Sequence, residues 1–579
     1  MGTLAGVSAA CAQSGNSAGD PPSTPSDWPN WAPEPAQSYR VIDRLSGEAV
    51  QLADFLGGGD DWAAAFDAAI GSGAKAIALP SGRPIRLHRQ VAIANSIAIL
   101  GAASGSDIDW RGSEHSAFRI EPPRQDPDLF VSNVVFDRIA ISRPAGEAPD
   151  GFLIHAVNIR GLTVTRCKSV RMSLVHVEHM RQRMKLYDRR GGSIERDPAV
   201  LAGFAADHTD DLNEDISIIG CAVDYTAYQG AIIRFDFAKR VAVYRCTGRF
   251  AKVSWWGGGA RAAEGGDIRH LRRVRDVYVA ECEMSGANGG VYGNNGQNCV
   301  VARNRVRDML DVGVDFEGCR DCIAYGNDVR NVGNFAYVTF YAAKNIVFRD
   351  NYAEQDGSAS TLNLRYGTGK YGAMRGIYFA ALRSSGFTRA DGSVEVVFTR
   401  NRFIFSGKDR LGACVPSYFT SLEFTDNELI NVCCDWRYRA TKTILISGNR
   451  LLFDQPGNEA VTLMAASAVE GTMTDNRITV STDLPAGSVA IGYDLTSRTG
   501  QCRIEGNRVD NRGHAPLPLT VQTGKASLAK AQITNNTVDA IGNDGVGQSL
   551  LRQSGNRGPN GRGLHMGQGA AMPRYPTKP

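Results

Sequence analysis

The chain has 579 residues, 43% of them apolar, with 64 glycines, twelve cysteines and a formal net charge of +4 from 64 basic and 60 acidic residues. That is enough apolar material for a large core, yet no run of 18 apolar residues exists to span a membrane. So balanced a charge gives no footprint for nucleic acid and leaves an anionic glycan open as a partner.

Gly2-Thr3-Leu4-Ala5-Gly6-Val7-Ser8-Ala9-Ala10-Cys11-Ala12-Gln13 reads as the end of an export signal. Ala10-Cys11-Ala12 fits the small-x-small cleavage pattern, and Ser8-Ala9-Ala10-Cys11 is related to a bacterial lipoprotein box in which Cys11 would carry the lipid. Either reading places the protein in the periplasm, on the outer membrane or outside the cell. Residues 14–38 are rich in Ser, Pro, Gly and Asp and read as a tether, so 1–38 are expected to precede the fold. A cap and the first coils are expected over 39–110. There Asp60 or Asp61 caps a helix with Trp62, Ala65, Phe66, Ala69 and Ile70 on one face.

From residue 111 to 554 the chain repeats. Val301-Ala302-Arg303-Asn304-Arg305-Val306 recurs in form at Asn327, Asn351, Asn401, Asn427, Asn449, Asn476, Asn507 and Asn536, at intervals of 23, 24, 50, 26, 22, 27, 31 and 29 residues. Strand, polar turn and strand at such a period is the signature of a solenoid. Asn suits the turn because it tolerates left-handed backbone and its amide can bond the coils above and below. Upstream, Cys167, Cys221, Cys246 and Cys282 fill the same slot, with Asp137 expected to open the series. The fold expected is all-β, a single-stranded right-handed parallel β-helix of twelve or more coils. With four cysteines in one column and Cys299 and Cys322 in another, buried thiol stacks are expected rather than disulfides. Residues 555–579 read as a disordered tail.

Gly59-Asp60-Asp61-Trp62-Ala63-Ala64-Ala65-Phe66-Asp67-Ala68-Ala69-Ile70, followed by Leu79-Pro80-Ser81-Gly82, resembles the entrance of the pectate lyase superfamily of right-handed parallel β-helix proteins. That superfamily holds polygalacturonases, uronan lyases and epimerases, and phage tailspike depolymerases. The resemblance implies a polysaccharide partner and a monomer or homotrimer, but not a reaction, since fold does not carry function. Gly-His-Gly, Arg-Ile-Lys and Asn-Gly-x-Glu-x-Ile-Arg-Ile-Gly are all absent.

The period allows outward residues of neighbouring coils to be aligned. Val291-Tyr292-Gly293-Asn294 should lie over Val314-Asp315-Phe316-Glu317 and then over Val338-Thr339-Phe340-Tyr341, with Ile233-Arg234-Phe235-Asp236 on an earlier coil. One outward column is then Arg234, Tyr292, Asp315 and Thr339, and the other Asp236, Asn294, Glu317 and Tyr341. Asp315 and Glu317 stand out: two carboxylates about 6.6 to 7 Å apart along a strand can flank a glycosidic bond. Glu317 is assigned as acid, Asp315 as base and Asp236 as a third carboxylate. Tyr292, Tyr341 and Trp256 offer faces to a sugar ring, with Trp255 turned into the core, and Arg234 and Asn294 offer polar contacts.

Three insertions, 178–212, 257–275 and 353–392, would wall a groove along this face. The second holds His270, suited to shuttle a proton, and four arginines that could bind carboxylated sugars. These readings make the chain an exported glycoside hydrolase. Its alternatives are a polysaccharide lyase or epimerase using Arg, Lys, Tyr or His, and a non-catalytic glycan-binding or tailspike-like protein. No metal-ligand set is legible and no cofactor is expected; calcium would enter only with the lyase reading.

Overall fold

The computed structural model describes residues 22–124, 126, 128–145, 151–180, 212–226, 228–257, 273–340, 343–358, 376–383, 394–408, 410–416, 419–437, 441–495, 500–523, 530–544, 551–564, 566–568 and 572–573. They form a right-handed parallel β-helix whose coils each give one strand to three long sheets. This is the pectate-lyase-like architecture that the entrance motif implied. Sheet 1 holds the strands that lead into the Asn or Cys turn, such as Gly296–Ala302 and Arg320–Tyr325. Sheet 2 holds the short strands that follow it, such as Arg305–Arg307 and Asp328–Arg330. Sheet 3 includes Gly289–Asn294 and Val312–Glu317. Coil partners pair parallel throughout, as Val306 with Val329 and Val301 with Ala324.

The asparagine ladder is a continuous chain of buried amides. The backbone N–H and side-chain Nδ2 of Asn304 both donate to Asn327 Oδ1 at 3.0 Å, and its Nδ2 also reaches the Val279 carbonyl at 3.0 Å. The same links recur through Asn536 and end on a tenth member, Asn556, at 3.0 Å. One part of the expectation is corrected. The left-handed residue is the one before the ladder position: Arg303 at φ 56°, Asp350 at 56°, Asp426 at 55° and Gly448 at 68°. The asparagine is selected for its side chain, which satisfies a buried backbone N–H and C=O that the tight turn would otherwise orphan.

Cys167, Cys221, Cys246 and Cys282 continue this column as buried free thiols, and every described cysteine is buried and unpaired by disulfide. Asp137 is not in the slot. It pairs in register with Thr165, so Ile139 precedes Cys167, and the Asp137 carboxylate instead accepts from Thr165 Oγ1 at 2.6 Å and Arg166 Nε at 2.8 Å.

The entrance is closed by helix α2 (Trp62–Gly71), capped by Asp61, whose carboxylate accepts from the Ala64 N–H at 3.0 Å. Its buried face of Trp62, Ala65, Phe66 and Ala69 covers the open end of the core. Residues 22–38, the described part of the stretch read as a tether, do not hang free. Helix α1 (Pro35–Gly47) opens on a proline, which costs no hydrogen bond at that position, and lays Tyr39 and Ile42 on Ala76, Ala98 and Leu100 outside sheet 1. Ahead of it Trp28 sits edge-on to Tyr244 and Tyr278, with centroids 5.2 and 5.4 Å away, and Asp27 accepts from Arg303 at 2.8 and 3.0 Å. The tail is likewise partly docked: the Pro573 carbonyl accepts from Arg437 at 2.7 Å and from Thr462 Oγ1 at 2.9 Å.

The spans 178–212 and 257–275 each fall between a sheet 3 strand and the next sheet 1 strand, and most of their residues lie outside the described ones. The span 353–392 is not one loop, because Tyr378–Arg383 within it is a regular sheet 3 strand paired with Phe335–Phe340. The rest of that span lies outside the described residues, on both sides of this strand.

Candidate functional site

The outer face of sheet 3 presents the expected columns for four coils. Arg234 pairs with Ser254, Ser254 with Tyr292 and Tyr292 with Asp315, while Asp236, Trp256, Asn294 and Glu317 form the row beside them. The next coil slips by one residue: Asp315 faces Val338, Phe316 faces Thr339 and Glu317 faces Phe340. Its turn back to sheet 1 is one residue longer, so counting back from Asn351 stops one residue short, at Val338 in place of Tyr337. A slip of one exchanges the two faces of a strand. Thr339 is therefore turned inward and fully buried, and Phe340 takes the place beside Glu317. Tyr341 and His270 lie outside the described residues.

Asp315 is 2% exposed and Glu317 half-buried. Their carboxyl groups are close enough for the Glu317 charge to act on Asp315, whose Oδ1 is buried without a hydrogen-bond partner among the described residues. Burial, then the charges of Glu317 and Asp311, hold the Asp315 carboxyl well above the usual carboxylate range. Burial and Asp311 push Glu317 up to about 7. At neutral pH the pair thus keeps at least one proton, as two close carboxyls must. Asp311 accepts from Asn334 Nδ2 at 3.0 Å at the mouth of the same strand.

Around the pair stands a cluster that sequence alignment reached only in part. Lys252 Nζ donates to Asn288 Oδ1 at 2.7 Å and lies 5.4 Å over the Tyr292 ring. Asn288 Nδ2 donates to the Tyr292 hydroxyl at 3.2 Å. Burial, then the Arg234 charge, brings Lys252 down to about 7, and burial pushes the Tyr292 phenol up. Trp256 is half-exposed and edge-on to Tyr292 at 6.3 Å, with the Arg234 guanidinium 5.9 Å from its ring. Trp255 is fully inside, stacked on Phe235. Asn294 spends its carbonyl on the Gly257 N–H at 2.9 Å and so holds the turn. Asp236 is fully buried and three strands from Glu317, about 14 Å at 4.8 Å per strand, too far to act on the same bond.

Lys252, Asn288 and Asp311 were missed. Lys252 was within reach of alignment, since it precedes Trp255 and Trp256 on one strand, but its neighbour Ala231 lies at a register shift. A separate concavity of about 640 Å³ lies on the outer face of sheet 1, lined by Glu423, Glu470, Gln501, Arg503 and Lys530. Its charged side chains are exposed, with none of the dehydration that shapes the sheet 3 cluster.

The raised Glu317 has a consequence for stability. An unfolded glutamate ionises near 4.3, so above that value the native state must either hold a proton or bury a charge. Stability therefore falls as pH rises from about 4 to about 7. Glu317→Gln is expected to stabilise the fold at pH 8 by about 2 kcal/mol and to change little at pH 4, as read by thermal unfolding.

No protein-family model matches the chain, and a search of curated proteins found no match. Solved structures that resemble it include the ORF18 protein of Geobacillus virus E2, at 13% identity and a TM-score of 0.33, covering 65% of each chain. The present chain thus spans just under two thirds of that protein. The tailspike of E. coli bacteriophage HK620, solved with a pentasaccharide, shares 13% identity over 91% of this chain and 81% of its own, with a TM-score of 0.31. DFA-IIIase from Arthrobacter chlorophenolicus A6, solved with GF2, shares 12% over 87% and 98%, with a TM-score of 0.28. The fold rests on the three parallel sheets themselves, and likenesses this distant say nothing about the reaction.

Proposed function

We propose that the protein is an exported carbohydrate-active enzyme, a glycoside hydrolase that lays a polysaccharide along the outer face of sheet 3. The observation that carries this reading is the buried carboxyl pair of Asp315 and Glu317 on the outer face of sheet 3, with Tyr292, Trp256 and Phe340 on the neighbouring strands. A carboxyl group near 7 is matched to donate to a glycosidic oxygen at neutral pH. Glu317, the more exposed of the two, delivers the proton. Burial and the Asp311 charge raise its cost of ionisation, Asp315 beside it positions it, and Asp311 is the carboxylate assigned to activate water. The aromatic faces take the sugar rings, while Arg234 and Lys252 favour a chain that carries negative charge.

A second reading, a polysaccharide lyase or epimerase, is favoured by Lys252. An amine near 7 beside Tyr292 and Arg234 is suited to remove a proton next to a neutralised uronate. Incubation with a panel of plant and bacterial polysaccharides separates the two. The hydrolase reading expects new reducing ends without ultraviolet absorbance from an unsaturated uronate. Absorbance with the reducing ends would establish the lyase, and binding without cleavage would leave a glycan-binding solenoid.

A further inference from the structure

Nearer the N-terminus the same face of sheet 3 gathers donors that glycan cleavage does not use. His155, on Phe152–Val157, and His176, on Ser173–Glu178, are register partners of adjacent coils, their rings stacked at 4.6 Å and 12°. Glu178 lies two residues beyond His176 on the same side of the strand. Its carboxylate stands 3.0 Å from His155 Nε2 and 3.6 Å from His176 Nε2. One donor atom from each of the three lies within 4.8 Å of the others, and each residue is less than a tenth exposed. The exposed ring of His115 stands edge-on to both histidines, at 5.7 and 6.1 Å.

We infer that His155, His176 and Glu178 form a binding site for a divalent transition-metal ion of the zinc or cobalt type. Two imidazole nitrogens and one carboxylate are the donor set such ions take, with a coordination position left for water or a ligand group. Calcium and magnesium, which want oxygen, are not suited to it. The protein pre-forms the set, since strand pairing alone brings His155 against His176 and the period of two places Glu178 beside them. Arg119 is the group that must yield. Its guanidinium lies 2.5 Å from His155 Nδ1, leaving the other ring nitrogen to carry a proton toward Glu178. Metal entry replaces that proton, which leaves to solvent, and Arg119 falls back on Glu121, already paired with it at 2.7 Å. From His176 through Arg234, Ser254 and Tyr292 to Asp315 is four strands, about 19 Å, so this is a site apart from the carboxyl pair.

Calorimetric titration of the chelator-treated full chain with zinc and with cobalt chloride, in two buffers of different ionisation heat, tests the assignment. The expected result is one saturable equivalent per chain with a proton released, and a cobalt visible spectrum lacking sulfur-to-metal charge transfer. His176→Gln and Glu178→Gln should each weaken binding at least tenfold, Arg119→Gln should tighten it, and His514→Asn on the far coils should leave it unchanged. Absence of saturable binding by the unaltered chain would overturn the assignment whether or not the variants fold. A thiolate spectrum, or full binding by a folded His176→Gln variant, would overturn it equally.

Discussion

Glu317→Gln is expected to lower kcat on the cleaved polysaccharide about 10³-fold, the size of a lost general acid, with little change in KM. The amide keeps the volume but has no proton to give. In the unaltered enzyme kcat should fall as pH rises through about 7, where Glu317 loses its proton. Asp315→Asn should behave differently. Glu317 remains the ionising group, so that variant keeps an alkaline limb and loses activity mainly because Glu317 is less firmly placed. If Glu317→Gln retains full kcat, the proton comes from elsewhere, and Lys252 with Tyr292 becomes the working pair.

Asn427→Ala is expected to cost about 4 kcal/mol although it lies four coils from the carboxyl pair. Asn427 is 1% exposed and its side chain holds four hydrogen bonds. Its Oδ1 accepts from the Asn401 N–H at 2.9 Å and from Asn401 Nδ2 at 3.0 Å; its Nδ2 donates to the Phe398 carbonyl and to Asn449 Oδ1, both at 3.0 Å. Alanine leaves the Asn401 N–H and the Phe398 carbonyl buried without partners, each costing about 1–3 kcal/mol. Because each coil of a solenoid touches only its neighbours, the loss should be local. Hydrogen exchange should accelerate over roughly residues 395–455 and stay unchanged around Cys167 and Cys221. Uniform protection, or a loss below about 1 kcal/mol, would mean that the ladder merely fills space.

The fold was legible because a solenoid repeats its own evidence of register: one asparagine per coil marks the turn, and alternation does the rest. That ruler placed Tyr292 over Asp315 and Asn294 over Glu317, and put Trp255 inside and Trp256 outside. It failed at Val338, where one added residue after Phe340 moved the strand by one and turned Thr339 inward. Helix α1 was missed because its proline-rich approach resembles a tether, while the groups that dock it, Ala76, Ala98 and Leu100, are distant in sequence. The coupling of the Asp315 and Glu317 carboxyl groups was beyond the sequence for another reason. Strand spacing sets where two backbones stand, but rotamers decide whether two carboxyl groups part or meet. His155 and His176 were equally out of view, since aligning them requires the strands ahead of the first insertion, where cysteine rather than asparagine marks the turn.

The central claim is that a glycan crosses sheet 3 at Glu317. A crystal structure of Glu317→Gln soaked with an oligosaccharide from the polysaccharide it cleaves tests that most directly. The account predicts sugar rings against Trp256, Tyr292 and Phe340, with a glycosidic oxygen within hydrogen-bond reach of the residue 317 amide. An oligosaccharide seated on another face, or across Lys252 with no contact to residue 317, would contradict it.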